Sequence, residues 1–517
     1  MNRRQALRAG SGAAASTWLA GCSAGDGGDA KPPTPSLTAA APTTPAGTAS
    51  SATPGGPPDW PALAKGLAGA LVRPDDSGYD ASRRLYNTRF DDLLPAAIAY
   101  VSSADDIREC LAFARGSRSV RLSIRSGGHS YAGWSSGGQD HLVLDVSRLD
   151  AISATGTTAT VGAGAKLIDL YSRLGDRGRT VPAGSCPSVG VSGLTLGGGH
   201  GVLSRSYGLT CDSLTGATII TADGKQLDCD ATANSDLFWA LRGAGCGNFG
   251  VVTELRFATH PAPSVVTGYA TWPWSRAAAV VRAWQEWGPD QPDEIWSSLH
   301  LDAPAGGSPK VSVATLTTGS RSDLASAMDR LSGSAGGGAP SLSLRPRSYL
   351  EAMFSYAGCS DLSTAQCHLP PKGRLQRETY TARSDFYDHS LSPTGIQTLL
   401  TQVERLGSIS GGGAGSVALT ALGGAVNRVD PGATAFVHRR SRFLAQYIAS
   451  DALSRTTWLD TLYEAMRRHA SGSAYQNYTD PALKDWRQAY YGSAAARLTE
   501  LKKKYDPDRL FDFPQAL

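Results

Sequence analysis

Long hydrophobic runs are missing from this 517-residue chain: past its N-terminal leader nothing resembles an apolar stretch of about 18 residues, which excludes a polytopic membrane protein. Charge is scarce too. Asp, Glu, Lys and Arg make up 18% of residues, and 49 basic against 45 acidic side chains leave a formal +4. That balance provides no basic footprint for nucleic acid, while 41% hydrophobic residues exclude a wholly disordered chain. Eight cysteines are too sparse for a disulfide scaffold, and the nine histidines show no zinc-ligand spacing. There is no P-loop. No G-x-G-x-x-G follows a first strand with an acidic residue about 20 positions later, which disfavours a Rossmann dinucleotide fold. No solenoid repeat is found. Glycine is plentiful, at 59 residues, and the length exceeds one ordinary core, so two or more domains are expected.

The first residues read as an address. Arg3, Arg4 and Arg8 precede a short, weakly apolar stretch that ends at Cys22. Positive residues ahead of such a stretch define an export signal and not a membrane span. The paired arginines resemble the twin-arginine signal, and Leu19-Ala20-Gly21-Cys22 resembles a bacterial lipobox. Residues 1–22 are therefore expected to export the protein. It would then be tethered to the outer face of the membrane through a lipid on Cys22, its one membrane contact, or secreted. Residues 23–58 hold eight prolines and no aromatic residue. They cannot bury enough surface to offset the entropy of ordering, so they read as a tether.

From Trp60 to about His260, short apolar runs alternate with glycine-rich turns, giving strand candidates at Val120–Ile124, Leu142–Val146, Ala159–Val161 and Ala217–Thr221. Ala222-Asp223-Gly224 reads as a hairpin turn. Helical patterns occupy Asp105–Arg115 and Leu167–Arg177. From Ala262 to about Ala470, helices at Arg276–Trp287 and Asp323–Leu331 alternate with strands at Ile295–Leu301 and Val311–Thr317. The C-terminal stretch has its own tight motif at Tyr475 and a basic helix at Ser493–Tyr505.

Three glycine loops carry the chemistry. Ile124-Arg125-Ser126-Gly127-Gly128-His129-Ser130-Tyr131 is a strand entering a glycine turn, where backbone N–H groups can approach an anion such as a pyrophosphate. The second loop, Gly193 to Gly201, follows Gly184-Ser185-Cys186-Pro187. The third runs from Gly243 to Val252. Each alone is a weak signal. Together, and in this order, they resemble the FAD-linked oxidases of the berberine bridge enzyme-like family, within the vanillyl-alcohol oxidase superfamily. The resemblance extends through Tyr207-Gly-Leu-Thr, Asp236 to Gly243, His438-Arg439, Tyr475-Gln-Asn477-Tyr478 and the ending Tyr505 to Phe511.

That resemblance implies an α+β protein. A two-subdomain PCMH-type FAD-binding domain would occupy 59–262, and an α+β substrate domain with an antiparallel sheet 263–470. Residues 471–517 would return to complete the FAD domain. It implies FAD bonded twice, His129 to the 8α-methyl and Cys186 to ring carbon 6; imidazole nitrogen and thiolate are suitable nucleophiles. Other cofactor contacts are implied at Arg125, Ser126, Gly127, Gly128, Ser130, Tyr131, Gly184, Val189, Gly190 and Gly193. Further ones fall at Gly197, Gly198, Gly199, Gly201, Gly247, Asn248, Gly250, Val251, Val252 and Asn477. His200 reads as a cofactor-wall residue. Tyr478 is implied as the catalytic base that takes the substrate hydroxyl proton while hydride leaves for flavin N5, with Tyr475 and Asn477 shaping the pocket.

Some relatives pair that tyrosine with a carboxylate, but Val417 to Leu422 contains no acid here, and Thr420 can donate a hydrogen bond to a phenolate but cannot take up a proton at working pH. Tyr478 would then be tuned by Tyr475, the flavin ring, or Arg439 if it reaches the site, with activity rising toward alkaline pH. Val189, three positions after the flavin cysteine, is the implied oxygen gate. Cys359 and Cys367 are expected to pair after export and Cys246 to stay free beside the cofactor. Cys110, Cys211 and Cys229 are unassigned. The expected function is an exported monomeric oxidase that takes hydride from an alcohol or hemiacetal and reduces molecular oxygen to hydrogen peroxide. Oligosaccharides and aromatic or polyketide-derived metabolites remain open as the small-molecule substrate. So do a dehydrogenase with another acceptor and a non-catalytic flavin- or carbohydrate-binding surface protein. Trp296 is a candidate stacking residue, though a core position is the commoner use of such a tryptophan.

Overall fold

The computed structural model describes residues 58–117, 119–245, 247–338 and 341–517. The export signal, nearly all of the tether and Cys246 lie outside the described residues. Two sheets form the N-terminal part. The first holds β1 (Ala70–Val72), β2 (Ala97–Tyr100), β3 (Arg121–Arg125) and β4 (His141–Asp145) in the order β1-β2-β4-β3. Both β2 and β3 run parallel to β4, and the helix Ala104–Gly116 crosses between them. That helix starts where the sequence dictates. Ser103 accepts from the Asp106 N–H, and Asp105 and Asp106 sit in the first turn against the helix dipole; such a cap is worth about 1 kcal/mol. Ile107, Cys110, Leu111 and Ala114 form its buried stripe.

The second sheet is antiparallel throughout. It comprises β5 (Ile152–Thr155), β6 (Thr158–Gly162), β8 (Leu214–Thr221), β9 (Gln226–Asp230) and β10 (Gly250–Ala258), ordered β5-β6-β10-β8-β9. A two-residue pair, β7 (Arg179–Thr180) with β11 (His260–Pro261), stands beside it. The β8–β9 hairpin turns at Ala222-Asp223-Gly224 as expected. Gly224 adopts φ +82°, a left-handed value that a Cβ would disfavour, and Thr221 Oγ donates to Asp223.

The third sheet has seven antiparallel strands: β12 (Ser264–Trp272), β13 (Ile295–Pro304), β14 (Lys310–Thr317), β15 (Ser341–Ser348), β16 (Tyr380–Tyr387), β17 (Ala414–Ala421) and β18 (Phe443–Ser450). Their order is β15-β12-β14-β13-β17-β18-β16. Because side chains alternate faces along a strand, register decides what each face carries. His300, Ala418, Gln446 and Ser384 sit side by side on one face, and Ser298, Thr420 and Leu444 form the next row. The opposite face packs on helices Ala277–Trp287, Pro393–Glu404 and Trp458–Arg467. There Trp284 Nε1 donates to Ser297 Oγ, and Trp458 Nε1 to the Gln402 carbonyl.

The C-terminal segment crosses back to the N-terminal sheets. Lys502, buried in helix Ala495–Tyr505, donates to the Asn248 and Phe511 carbonyls and to Asp506. Tyr491 donates to the Ala244 carbonyl, and the Leu517 N–H donates to Asn248 Oδ1. The expected α+β architecture, with an antiparallel sheet after residue 263 and a returning C-terminal segment, is what the chain adopts. Cys359 and Cys367 form a disulfide with Cα atoms 5.8 Å apart, while Cys110, Cys211 and Cys229 are buried free thiols.

Candidate functional site

The three glycine loops and the returning segment meet at one cavity of about 310 Å³. From the end of β3, Ser126, Gly127, Gly128, His129, Ser130 and Tyr131 line it. The second loop adds Gly184, Cys186, Val189, Gly190, Gly193, His200 and Gly201; the third adds Gly247, Asn248, Gly250 and Val252. Trp296, Ser298, His300, Ala418, Thr420 and Gln446 of the seven-stranded sheet close it from the opposite side, and Tyr475, Asn477 and Tyr478 insert between. Two loops approach closely at a pair of glycines: a Cβ on Gly127 or Gly190 would collide with the other's backbone nitrogen. A Cβ on Gly193, by contrast, would meet nothing within 4 Å.

Five residues expected to contact a cofactor stand off the cavity wall, and three of them have another task. Asn477 occupies the place a Cβ of Gly197 would take, Gly198 (φ +126°) lies under the Phe436 ring, and the Gly199 N–H donates to the Tyr475 hydroxyl at 2.8 Å. These glycines seat the returning segment. Arg125 is buried below its loop in an ion pair with Asp145, and Val251 is fully buried within β10.

Among the described lining residues there is no Asp, Glu, Lys or Arg. The His129 ring stacks on Tyr86 with centroids 4.1 Å apart, and its Nε2 shares a 2.9 Å hydrogen bond with Ser188 Oγ. Burial, helped by the nearby Lys166 charge, lowers its pKa to about 3, so the imidazole is neutral with a lone pair to use. Cys186 is half of a disulfide. A bond from its sulfur to a flavin requires the thiol form. The expectation for Cys246 lies outside the described residues.

Tyr478 Oη lies 2.7 Å from His200 Nε2, and its ring stacks on Tyr131 with centroids 5.1 Å apart. Burial raises the Tyr478 pKa well above the ordinary phenol value. One expected tuning group, Arg439, does not reach it. Arg439 is fully buried in a bidentate pair with Asp212, at 2.6 and 2.8 Å, with its Nε on the Phe436 carbonyl. Removing Asp212 would strand that charge at a cost of about 3–5 kcal/mol, so the pair serves the fold. Thr420 Oγ instead meets Ser298 Oγ at 3.3 Å. Tyr475 is held by the Gly199 N–H and by Asn477 Nδ2, 2.9 Å away.

Sequence reasoning missed Gln446, whose Nε2 donates to the Tyr131 hydroxyl at 2.7 Å, and His300, whose pKa burial lowers to about 4. The signal was present: Trp296, Ser298, His300 and Asp302 alternate with Ile295, Ser297, Leu299 and Leu301, so one face of an otherwise apolar strand carries polar groups. Trp296 is 3% exposed, as a core tryptophan is, and also lies on the cavity wall.

The site fits a flavin dinucleotide. The cavity is of ligand size, its loops offer backbone N–H groups for a diphosphate without a cationic side chain, and a neutral histidine stands on the wall. Comparison with known proteins agrees. Residues 95–230 match the FAD binding domain model and residues 474–517 the berberine and berberine-like model. An uncharacterized FAD-linked oxidoreductase of Bacillus subtilis is 30% identical, over 87% of this chain and 97% of that protein. A chitooligosaccharide oxidase of Gibberella zeae is 33% identical, over 82% of this chain and 86% of its own length. The structure of BBE-like 1 from Physcomitrella patens superposes with a TM-score of 0.79 at 29% identity, over 88% of this chain and 97% of that one. The chain belongs to the berberine bridge enzyme-like family and is an FAD-dependent oxidoreductase.

Proposed function

We propose that this protein oxidises an alcohol or hemiacetal carbon of a neutral oligosaccharide and passes the electrons to molecular oxygen. The observation that carries the substrate class is the cavity lining, which among the described residues is polar and aromatic but has no charged side chain. A carboxylate or ammonium substrate would enter unpaired, at high desolvation cost. Hydroxyl groups find Ser298, Thr420, His300 and Gln446, and sugar faces find Trp296, Tyr131 and Tyr380. The related chitooligosaccharide oxidase supports the same class. Bound FAD would accept the hydride. Tyr478 Oη would take the hydroxyl proton, and Tyr131, fixed by Gln446, would orient the reacting ring.

Residues 59–262 would then hold FAD, 263–470 the sugar, and 471–517 the base. The flavin would be bonded to His129 and, once its thiol is free, to Cys186. Arg3-Arg4 and Cys22, outside the described residues, would export the loaded protein and anchor it. The test is a panel of neutral oligosaccharides and aromatic alcohols mixed anaerobically with the holoenzyme, followed by peroxide measurement in air. Flavin bleaching by sugars with stoichiometric peroxide supports the proposal; bleaching by aromatic alcohols alone would redirect it to secondary metabolites.

Oxygen access supplies a further check. Val189 lines the cavity three residues after Cys186. One added methylene is enough to close a gap sized for a diatomic. Val189→Ile is expected to slow reoxidation of the reduced flavin in stopped-flow mixing with air-saturated buffer, leaving reduction by sugar unchanged. Equal reoxidation rates would remove Val189 as the gate.

A further inference from the structure

We infer that His200 is the group that receives the proton of Tyr478 during substrate oxidation. The inference rests on the oxidative reading above and deepens it.

The geometry comes first. His200 Nε2 lies 2.7 Å from Tyr478 Oη, a full hydrogen bond, while the ring planes cross at 84° with centroids 5.7 Å apart. Both side chains line the cavity, and no charged residue among those described lines it with them. Tyr475, the other tyrosine beside His200 with ring centroids 5.5 Å apart, has its oxygen engaged by the Gly199 N–H and Asn477. Among the described residues Tyr478 therefore has one titratable side chain hydrogen-bonded to its hydroxyl, and it is the His200 imidazole.

The chemistry then follows from charge. A buried phenol resists ionisation, so it is a poor base unless its own proton moves on as the substrate's proton arrives. Burial also lowers the His200 pKa to about 4, so the ring is neutral at every working pH, and in the tautomer protonated at Nδ1 its Nε2 lone pair accepts from Tyr478 Oη. In the step proposed here the substrate O–H bond breaks and its proton bonds to Tyr478 Oη. The original Tyr478 proton passes to His200 Nε2, and the C–H electron pair leaves with hydrogen as hydride to the flavin, which is reduced by two electrons. The substrate carbon is oxidised to carbonyl level. One negative charge enters a low-dielectric site with the hydride, and the imidazolium offsets it. His200 acts through Tyr478 and is a positioning residue in that sense; the proton it holds is what distinguishes it from a merely structural neighbour.

The experiment uses holoenzyme with 15N-labelled histidine. The His200 resonances are identified by their absence from His200→Asn, and their nitrogen shifts are read before and after anaerobic reduction. Reduction is performed once with sugar and once with dithionite, where the electrons come from the reductant and the protons from solvent, so that no substrate is needed. A failure of the sugar reading thus leaves the dithionite arm intact. The expected result is a neutral imidazole with unprotonated Nε2 in the oxidised enzyme and a doubly protonated ring in the reduced enzyme, at neutral pH. His200→Asn, which retains a hydrogen-bonding side chain but cannot take a proton, is expected to keep its flavin while sugar reduces it roughly 100-fold more slowly. A His200 ring that stays neutral after dithionite reduction would overturn the inference, as would near wild-type reduction of the Asn variant.

Discussion

Replacing Tyr478 by Phe is expected to leave flavin bound and slow its reduction by sugar at least roughly 100-fold, the usual scale for loss of a general base. The Phe ring preserves the stack on Tyr131 and the edge contact with Tyr475, centroids 5.1 and 5.0 Å away. What disappears is Oη and its bond to His200. Packing is therefore conserved while the proton acceptor is lost, and about 2.7 kcal/mol of barrier should appear. The pH profile separates this reading from a free tyrosinate. Because burial holds Tyr478 protonated far above neutrality, the wild-type rate should be flat across neutral pH and should fall as His200 protonates toward its pKa of about 4. The rise toward alkaline pH expected for an unaided phenol is thereby displaced beyond the working range. Stopped-flow reduction of both proteins across pH checks this; equal rates in Tyr478→Phe would place the base elsewhere.

The second large effect concerns the cofactor. Acid-precipitated wild-type protein should stay yellow, and a peptide containing His129 should carry the flavin mass. His129→Ala is expected to leave flavin attached through Cys186 alone, Cys186→Ala through His129 alone, and the double variant to release it. His129 is suited to the bond by its neutral state, its stack on Tyr86 and its Ser188 partner, all of which fix the ring against the cavity. Cys186 must first leave its disulfide, so reducing the apoprotein before flavin loading, and then admitting oxygen to take the two electrons released by C–S bond formation, should raise the doubly attached fraction. Colourless precipitate from wild type would exclude both bonds.

Much of this was legible in the sequence because it is local. Strands such as Ile295–Pro304 and Lys310–Thr317, and helices such as Ala104–Gly116 and Leu167–Gly175, follow from short-range periodicity and caps, and fall within a few residues of expectation. The loops at Gly127 and Gly190 announced a close backbone approach, which the two make to each other. What escaped was long-range pairing. That Gly197 to Gly199 support residues 475–477 and do not wall the cavity depends on a contact almost 280 positions apart. Arg439 is equally silent in sequence, since only the fold reveals that Asp212 claims it. The His200–Tyr478 bond likewise joins two motifs that can each be read alone, and neither specifies the other.

The central claim is that an uncharged cavity beside FAD takes a neutral sugar. The most direct measurement is anaerobic flavin bleaching by three oligosaccharides of equal length: one neutral, one carrying a uronate and one carrying a free amine. Reduction by the neutral sugar, with the two charged sugars at least roughly 100-fold less effective in kcat/KM through unpaired burial of their charge, is the predicted result. Equal or better reduction by either charged sugar would contradict it.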